Sequence, residues 1–184
     1  MIPPSVTELR DIDASAARIF AVVSDPAMHP DVDGTGMLRS ADDNQPVKKV
    51  GDVFYINMVH WDLGGYVMAN HVVAFEQDRL IAWEPVVFAY ENPEYEQAVG
   101  QPGLRHWGWQ LEPLSDDRTR VTAFFEGSRL PESLREFIKD GEFWRSAMAT
   151  SMDNLENIVA QPDATRRTSP SATAAQFERL FKGE

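Results

Sequence analysis

The stretch RHWGWQLEPLSDDRTRVTAFFEG, residues 105–127, decides how this chain is read. Successive side chains of a strand point to opposite faces. Trp107, Trp109 and Leu111 therefore share one face, and His106 and Gly108 lie on the other. Beyond the polar turn at PLSDD, Val121 and Phe125 extend the same apolar pattern, while Glu126 alternates outward. Two alternating runs about a short polar turn predict a β-hairpin over 104–112 and 119–127. Its two neighbouring indoles must face a solid core, a partner or a cavity.

Upstream of the hairpin the signals are mostly those of strands. Residues 6–13 alternate weakly and read as a strand. Ser15 then caps a helix, its hydroxyl accepting an orphan backbone N–H, with Ala16, Ile19, Phe20 and Val23 at helical spacing. Pro26, Pro30, Gly34 and Gly36 reduce 25–36 to a short helical turn and a loop. Strands are expected at 37–41, 52–61, 66–75 and 79–83. The proline- and acid-rich stretch 84–103 reads as irregular.

Downstream, Pro131 suits a helix start, where its missing N–H costs nothing. Apolar residues then recur near i+3/i+4 from Leu134, Phe137 and Ile138 to Val159, which predicts a helix of about 25–30 residues. Gly141 either kinks that helix or separates a short turn from it. Residues 161–172 read as a polar linker, and 174–181 as a short amphipathic helix through Phe177, Leu180 and Phe181. The organisation is one domain over 1–160 with a linker and tail over 161–184.

Composition narrows the functional classes. With 184 residues the chain can bury roughly 70% of its unfolded surface, enough for one real core. A net charge of −12 argues against nucleic acid, whose phosphates demand Lys/Arg surfaces. It equally disfavours an anionic membrane surface. The absence of cysteine excludes disulfides, thiolate nucleophiles and Cys-based metal sites. No stretch approaches the ~20 apolar residues of a membrane span, and the first residues lack the basic and apolar regions of a signal peptide. The expectation is a cytoplasmic protein with no membrane insertion.

The order of strand, two helical segments, a run of antiparallel strands and one long helix resembles the START/Bet v 1-like (SRPBCC) superfamily of polyketide cyclase/dehydrase and lipid-transport proteins. IDASAARIFAVVSDPAMHPDVDGTG resembles its first strand and helix pair, VVAFEQDRLIAWEP its central hairpin, and the 105–127 stretch its last hairpin. Val32 stands where many members carry tryptophan. The resemblance covers about residues 5–160. It implies an α+β helix-grip fold: a curved antiparallel β-sheet wrapped around a long C-terminal α-helix, with two short helices between the first two strands. It also implies a cavity between sheet and helix.

Given that cavity, the strand faces acquire meaning. Phe54, Ile56, Met58 and His60 would face it from one strand. His71, Val73 and Phe75 would face it from the next, followed by Trp83, then Trp107, Trp109 and Phe125 of the hairpin. Trp144, Met148 and Met152 would close it from the helix. A one-residue phase error would invert any of these sets.

Polar chemistry is sparse. His60 and His71 on adjoining strands are either hydrogen-bonded, half-buried histidines or a proton-transfer pair, since imidazole titrates near neutrality. Tyr66 is a weaker donor candidate. No orienting carboxylate or nucleophile accompanies them. His106 reads as outward and His29 as a surface residue of the loop. No metal is expected, because His60 and His71 lack a third ligand at recognisable spacing. HPDVDGTG lacks the acidic ends of a calcium loop and reads instead as a turn, with Asp33–Gly34 supplying a positive-φ position. No nucleotide motif is present, and no cofactor is expected.

Three functions follow. The first is binding or transport of a small hydrophobic molecule, lipid-like or aromatic/polyketide-like. The second is a cyclase/aromatase or dehydratase on a polyketide-like substrate, using His60, His71 or Tyr66. The third is a regulatory or interaction module using the acidic surface and the tail, whose Phe177, Leu180 and Phe181 would dock on the domain or on a second subunit, the latter giving a homodimer.

Overall fold

The computed structural model describes residues 5–41, 45–61, 64–90, 103–130 and 141–162. Its centre is the expected hairpin, β6 (His106–Ser115) and β7 (Arg118–Glu126), in which Trp107 pairs with Phe125 and Leu111 with Val121. β1 (Ser5–Ile12) lines the far side of β7. On the other flank lie β5 (Leu80–Tyr90), β4 (Gly64–Glu76), β3 (Val53–His60) and β2 (Leu38–Ala41). All pairings are antiparallel, in the order β1-β7-β6-β5-β4-β3-β2.

β1 and β2 occupy opposite edges, so the chain between them must cross the whole sheet. It does so with α1 (Ala16–Val23), a 3-10 turn at Pro26–Met28 and α2 (His29–Val32). Ser15 caps α1 as expected, accepting from the Arg18 N–H at 3.3 Å, and the Asp25 carboxylate accepts from Ala27 N–H at 3.0 Å to start the turn. These short-range bonds satisfy donors that water would otherwise have to reach.

The last described helix, α3 (Glu142–Ala160), has 19 residues. Gly141 precedes it at φ 77°, a left-handed conformation that side chains resist. Of the two roles open to Gly141, the structure shows a helix start; residues 131–140, with Leu134, Phe137 and Ile138, lie outside the described residues, as does the expected tail helix. Met148, Met152, Leu155 and Val159 form one buried stripe of α3 and join Ile19, Phe20, Val121 and Phe125 in a single core. Arg10 on β1 ties the exposed side of α3 through Asp153 and Glu156. This is the α+β helix-grip arrangement, a curved antiparallel sheet around its C-terminal helix.

Three local expectations fail for physical reasons. β5 does not stop at Trp83 but runs on through Pro85 to Tyr90. Proline is tolerated on a strand with a free side, and β6 pairs with β5 only as far as Trp83. In β4 the inward residues are Tyr66, Met68 and Asn70, so His71 and Val73 point outward and are exposed. A register shift between Val72 and Ala74 then resets the phase, so Phe75 turns inward against Phe20, ring centroids 5.4 Å apart. Finally, the positive φ of the 33–36 turn belongs to Gly36, at 69°. Gly34 serves close approach instead: a Cβ there would lie 2.0 Å from the Ala147 carbonyl oxygen of α3.

Candidate ligand cavity

Between sheet and α3 lies a cavity of about 420 Å³, within the range of small-molecule sites. β3 contributes Phe54, Ile56, Met58 and His60, all on the face expected for them. β5 and the hairpin contribute Trp83, Trp107, Trp109 and Phe125, and α3 contributes Trp144 and Met148. Of the other residues expected there, Phe75 and Met152 pack into the core beside the cavity rather than lining it, and His71 is on the opposite face of the sheet. His60 and His71 therefore cannot act as a pair, whereas Tyr66 does line the cavity.

The indoles have two kinds of neighbour. Trp107 touches the helix directly, its ring edge-on to Trp144 at 5.1 Å and tilted against Phe125 at 4.7 Å. Both Trp107 and Trp109 also present surface to the cavity. Aromatic walls of this kind offer large contact area with little side-chain entropy to lose.

The loop after α2 forms another part of the wall. The Asp33 carboxylate accepts from the backbone N–H groups of Thr35, Met37 and Leu38 at 2.8–3.0 Å and from the Thr35 hydroxyl. Its oxygens are committed to folding the loop, so Asp33 is a poor ligand for a cation. Gly34 N–H donates to the Ser151 hydroxyl of α3 at 2.9 Å, seating the loop on the helix.

His29, expected at the surface, is 7% exposed and lines the cavity. Its Nε2 bonds the Val23 carbonyl oxygen at 3.0 Å, its ring stacks on Trp83 at 5.2 Å, and Phe54 meets it edge-on at 5.2 Å. Burial lowers its pKa to about 4, opposed by the Val23 bond and by Asp33. The ring is therefore neutral near pH 7, and since a carbonyl only accepts, Nε2 carries the proton. The difference has a simple cause: a proline-flanked loop suggests solvent, but this one is folded inward by α1 and Asp33.

Arg105 is the second polar residue that the sequence reading passed over. It precedes β6 in the same phase as Trp107 and Trp109, and it lines the cavity. Burial pulls its pKa below the ordinary guanidinium value, while Tyr66 and Glu84 pull it back up. An arginine nonetheless stays protonated under physiological conditions. At this point β5 and β6 have parted, because Trp83–Trp107 is their last paired rung. Glu84 bridges the gap by accepting the Gly103 N–H, and its other oxygen lies 3.9 Å from His106 Nε2 on the outer face.

The His60 and Tyr66 ends of β3 and β4 lie together, with Met58 opposite Tyr66 and His60 opposite Gly64. Phe54 pairs with Asn70 at the other end. The four steps from Phe54 to Met58 correspond to about 13 Å of strand. The cavity thus has an aromatic cluster at His29, Phe54 and Trp83 and polar groups at Tyr66 and His60, while Arg105 stands two residues beyond the Trp83–Trp107 rung, within electrostatic reach of Tyr66. Among the described residues no cluster of three His, Asp or Glu could hold a metal, and no helix is long and apolar enough to cross a membrane.

No protein-family model matches the chain. Over 124 residues it is 29% identical to "Uncharacterized protein Rv0088" of Mycobacterium tuberculosis strain ATCC 25618 / H37Rv, covering 67% of this chain and 48% of that protein. The same values hold for "Uncharacterized protein MT0096" of strain CDC 1551 / Oshkosh. The chain spans about half the length of the curated relatives it matches. Among solved structures, a protein from Arthrobacter aurescens aligns over 92% of this chain and 94% of its own, with TM-score 0.62 and 16% identity. A START superfamily protein from Mycobacterium smegmatis covers 85% and 97% with TM-score 0.57 and 15% identity. Major latex-like protein 151 from Panax ginseng covers 84% and 97% with TM-score 0.57 and 14% identity. The fold is START/Bet v 1-like.

Proposed function

We propose that this protein binds or carries a small hydrophobic molecule, lipid-like or aromatic, in the cavity between sheet and α3. The observation that carries the reading is the 420 Å³ space walled by Trp83, Trp107, Trp109 and Trp144. Native interiors are normally close-packed, with few voids larger than a water molecule, so a space of this size in the middle of the fold calls for an occupant. Titration with a panel of fatty acids, alcohols and polycyclic aromatics, followed by tryptophan fluorescence, tests it. Saturable quenching or a spectral shift with at least one probe class is expected; a flat response to the whole panel sinks the proposal.

A cyclase/aromatase or dehydratase activity is the second reading, favoured by His60 and Tyr66 lying at one end of the cavity. A substrate carbonyl there would meet groups able to move a proton. His60→Phe and Tyr66→Phe should each abolish turnover of a poly-carbonyl substrate with the fold retained. Unchanged turnover in both variants removes the catalytic assignment.

A further inference from the structure

We propose that Arg105 is the anion-binding residue of this cavity, and that the ligand is a hydrophobic carboxylic acid held as its carboxylate. The inference deepens the binding function above and rests on it. Arg105 lines a wall whose other members are chiefly apolar. Among the described residues its guanidinium makes no hydrogen bond and no ion pair. A charge withdrawn from water without a partner is costly, and such a site gains most from an anion that supplies the missing partner.

The carboxylates nearby are already engaged. Glu84 is held by Gly103 N–H and faces His106. Asp33 is spent on three backbone N–H groups of its own loop. Neither completes the guanidinium fork. That fork presents two parallel N–H donors matched to the two oxygens of a carboxylate. Arg105 lies on the face of Trp107 and Trp109, two residues beyond the Trp83–Trp107 rung, which suits an apolar body packed on the indoles and carrying a single acidic head. His29, neutral and bonded to Val23 among the aromatic rings, adds no second charge.

The test uses the full chain and matched probes: dodecanoate against 1-dodecanol, and 2-naphthoate against 2-naphthol. Affinities are measured at pH 7 by fluorescence titration for the natural protein, Arg105→Met and Arg105→Lys, with circular dichroism and melting recorded for each. The natural protein should prefer the acid of each bound pair by about tenfold to a hundredfold, the worth of a charge-assisted hydrogen-bond pair. Arg105→Met should bind acid and alcohol alike, and Arg105→Lys should keep part of the preference. Binding of both members without preference, or a preference that survives in Arg105→Met, overturns the anion site while leaving the cavity function standing. Binding of no probe overturns both. A melting point for Arg105→Met close to that of the natural protein separates a lost contact from a lost fold.

Discussion

The same cavity wall holds two polar side chains in opposite circumstances. His29 is held by its neighbours: its N–H is bonded to Val23, one ring face is stacked on Trp83, and Phe54 presses on it edge-on. Arg105 carries a charge and has no ion pair among the described residues. Burial lowers both pKa values, but with different outcomes. Histidine responds by giving up its proton and becoming an ordinary member of an aromatic cluster. Arginine cannot do so, and its charge must be met from elsewhere. A polar residue in a cavity wall is therefore informative only once its partners are counted.

That contrast can be broken by substitution. The largest effect is expected at the closed end. Trp83→Ala removes the ring that stacks on His29 and meets Phe54 edge-on and should cost about 3–5 kcal/mol, read from the urea midpoint. Gly34→Ala comes next. Its methyl would meet the Ala147 carbonyl and Ser151 N, so the loop must lift from α3. A loss of about 1–3 kcal/mol is expected, with the melting point as the measurement.

The pH dependence of His29 follows with the sign worked out. The unfolded ring takes a proton below about pH 6.5, whereas the folded ring does so only near about 4. Between these values the unfolded state binds more protons, so stability is full above about 6.5 and falls as the pH drops toward 4. The total is about 3 kcal/mol. His29→Gln should flatten that part of the curve when urea midpoints are compared at pH 7, 5.5 and 4.5; an identical slope would show that His29 is not the buried neutral group described. The smallest effect belongs to Arg105→Met, within about 1 kcal/mol of neutral and of either sign. Replacing an unpaired half-buried charge by an apolar group relieves desolvation as it removes side-chain packing. A loss of several kcal/mol would mean that Arg105 holds the fold together rather than awaiting an anion.

Much of this was legible in advance, and the misses have specific causes. β3 alternates cleanly, so Phe54, Ile56, Met58 and His60 were assigned to the correct face. β4 gives no such signal, because Val67 and Ala69 on its outer face are as buried as Tyr66 on its inner one. With both faces apolar, alternation cannot fix the phase, and the irregularity at Val72–Ala74 shifts it again. His71 was misplaced for that reason. His29 was hidden by the company of prolines, since nothing local reveals that Asp33 would fold the loop inward. Arg105 was not hidden at all: its spacing of two and four from Trp107 and Trp109 puts it on their face. The reading of that strand rests on its indoles and assigns Arg105 no role.

One glycine ties the two faces of the sheet together. Gly108 stands between the indoles, on the last rung but one of the short β5–β6 seam, opposite Ala82. A methyl added there would meet the ring of Phe124 at 2.5 Å, the Ile81 carbonyl at 2.5 Å and Ala82 at 2.9 Å. The outside of the sheet is thus in van der Waals register with the strand that carries both tryptophans, with no slack between. Any residue larger than hydrogen at 108 would either lever Phe124 away or part the seam, and the indoles would travel with it. The breadth of the inner chamber is set, at this point, by how tightly its outer wall is buttoned.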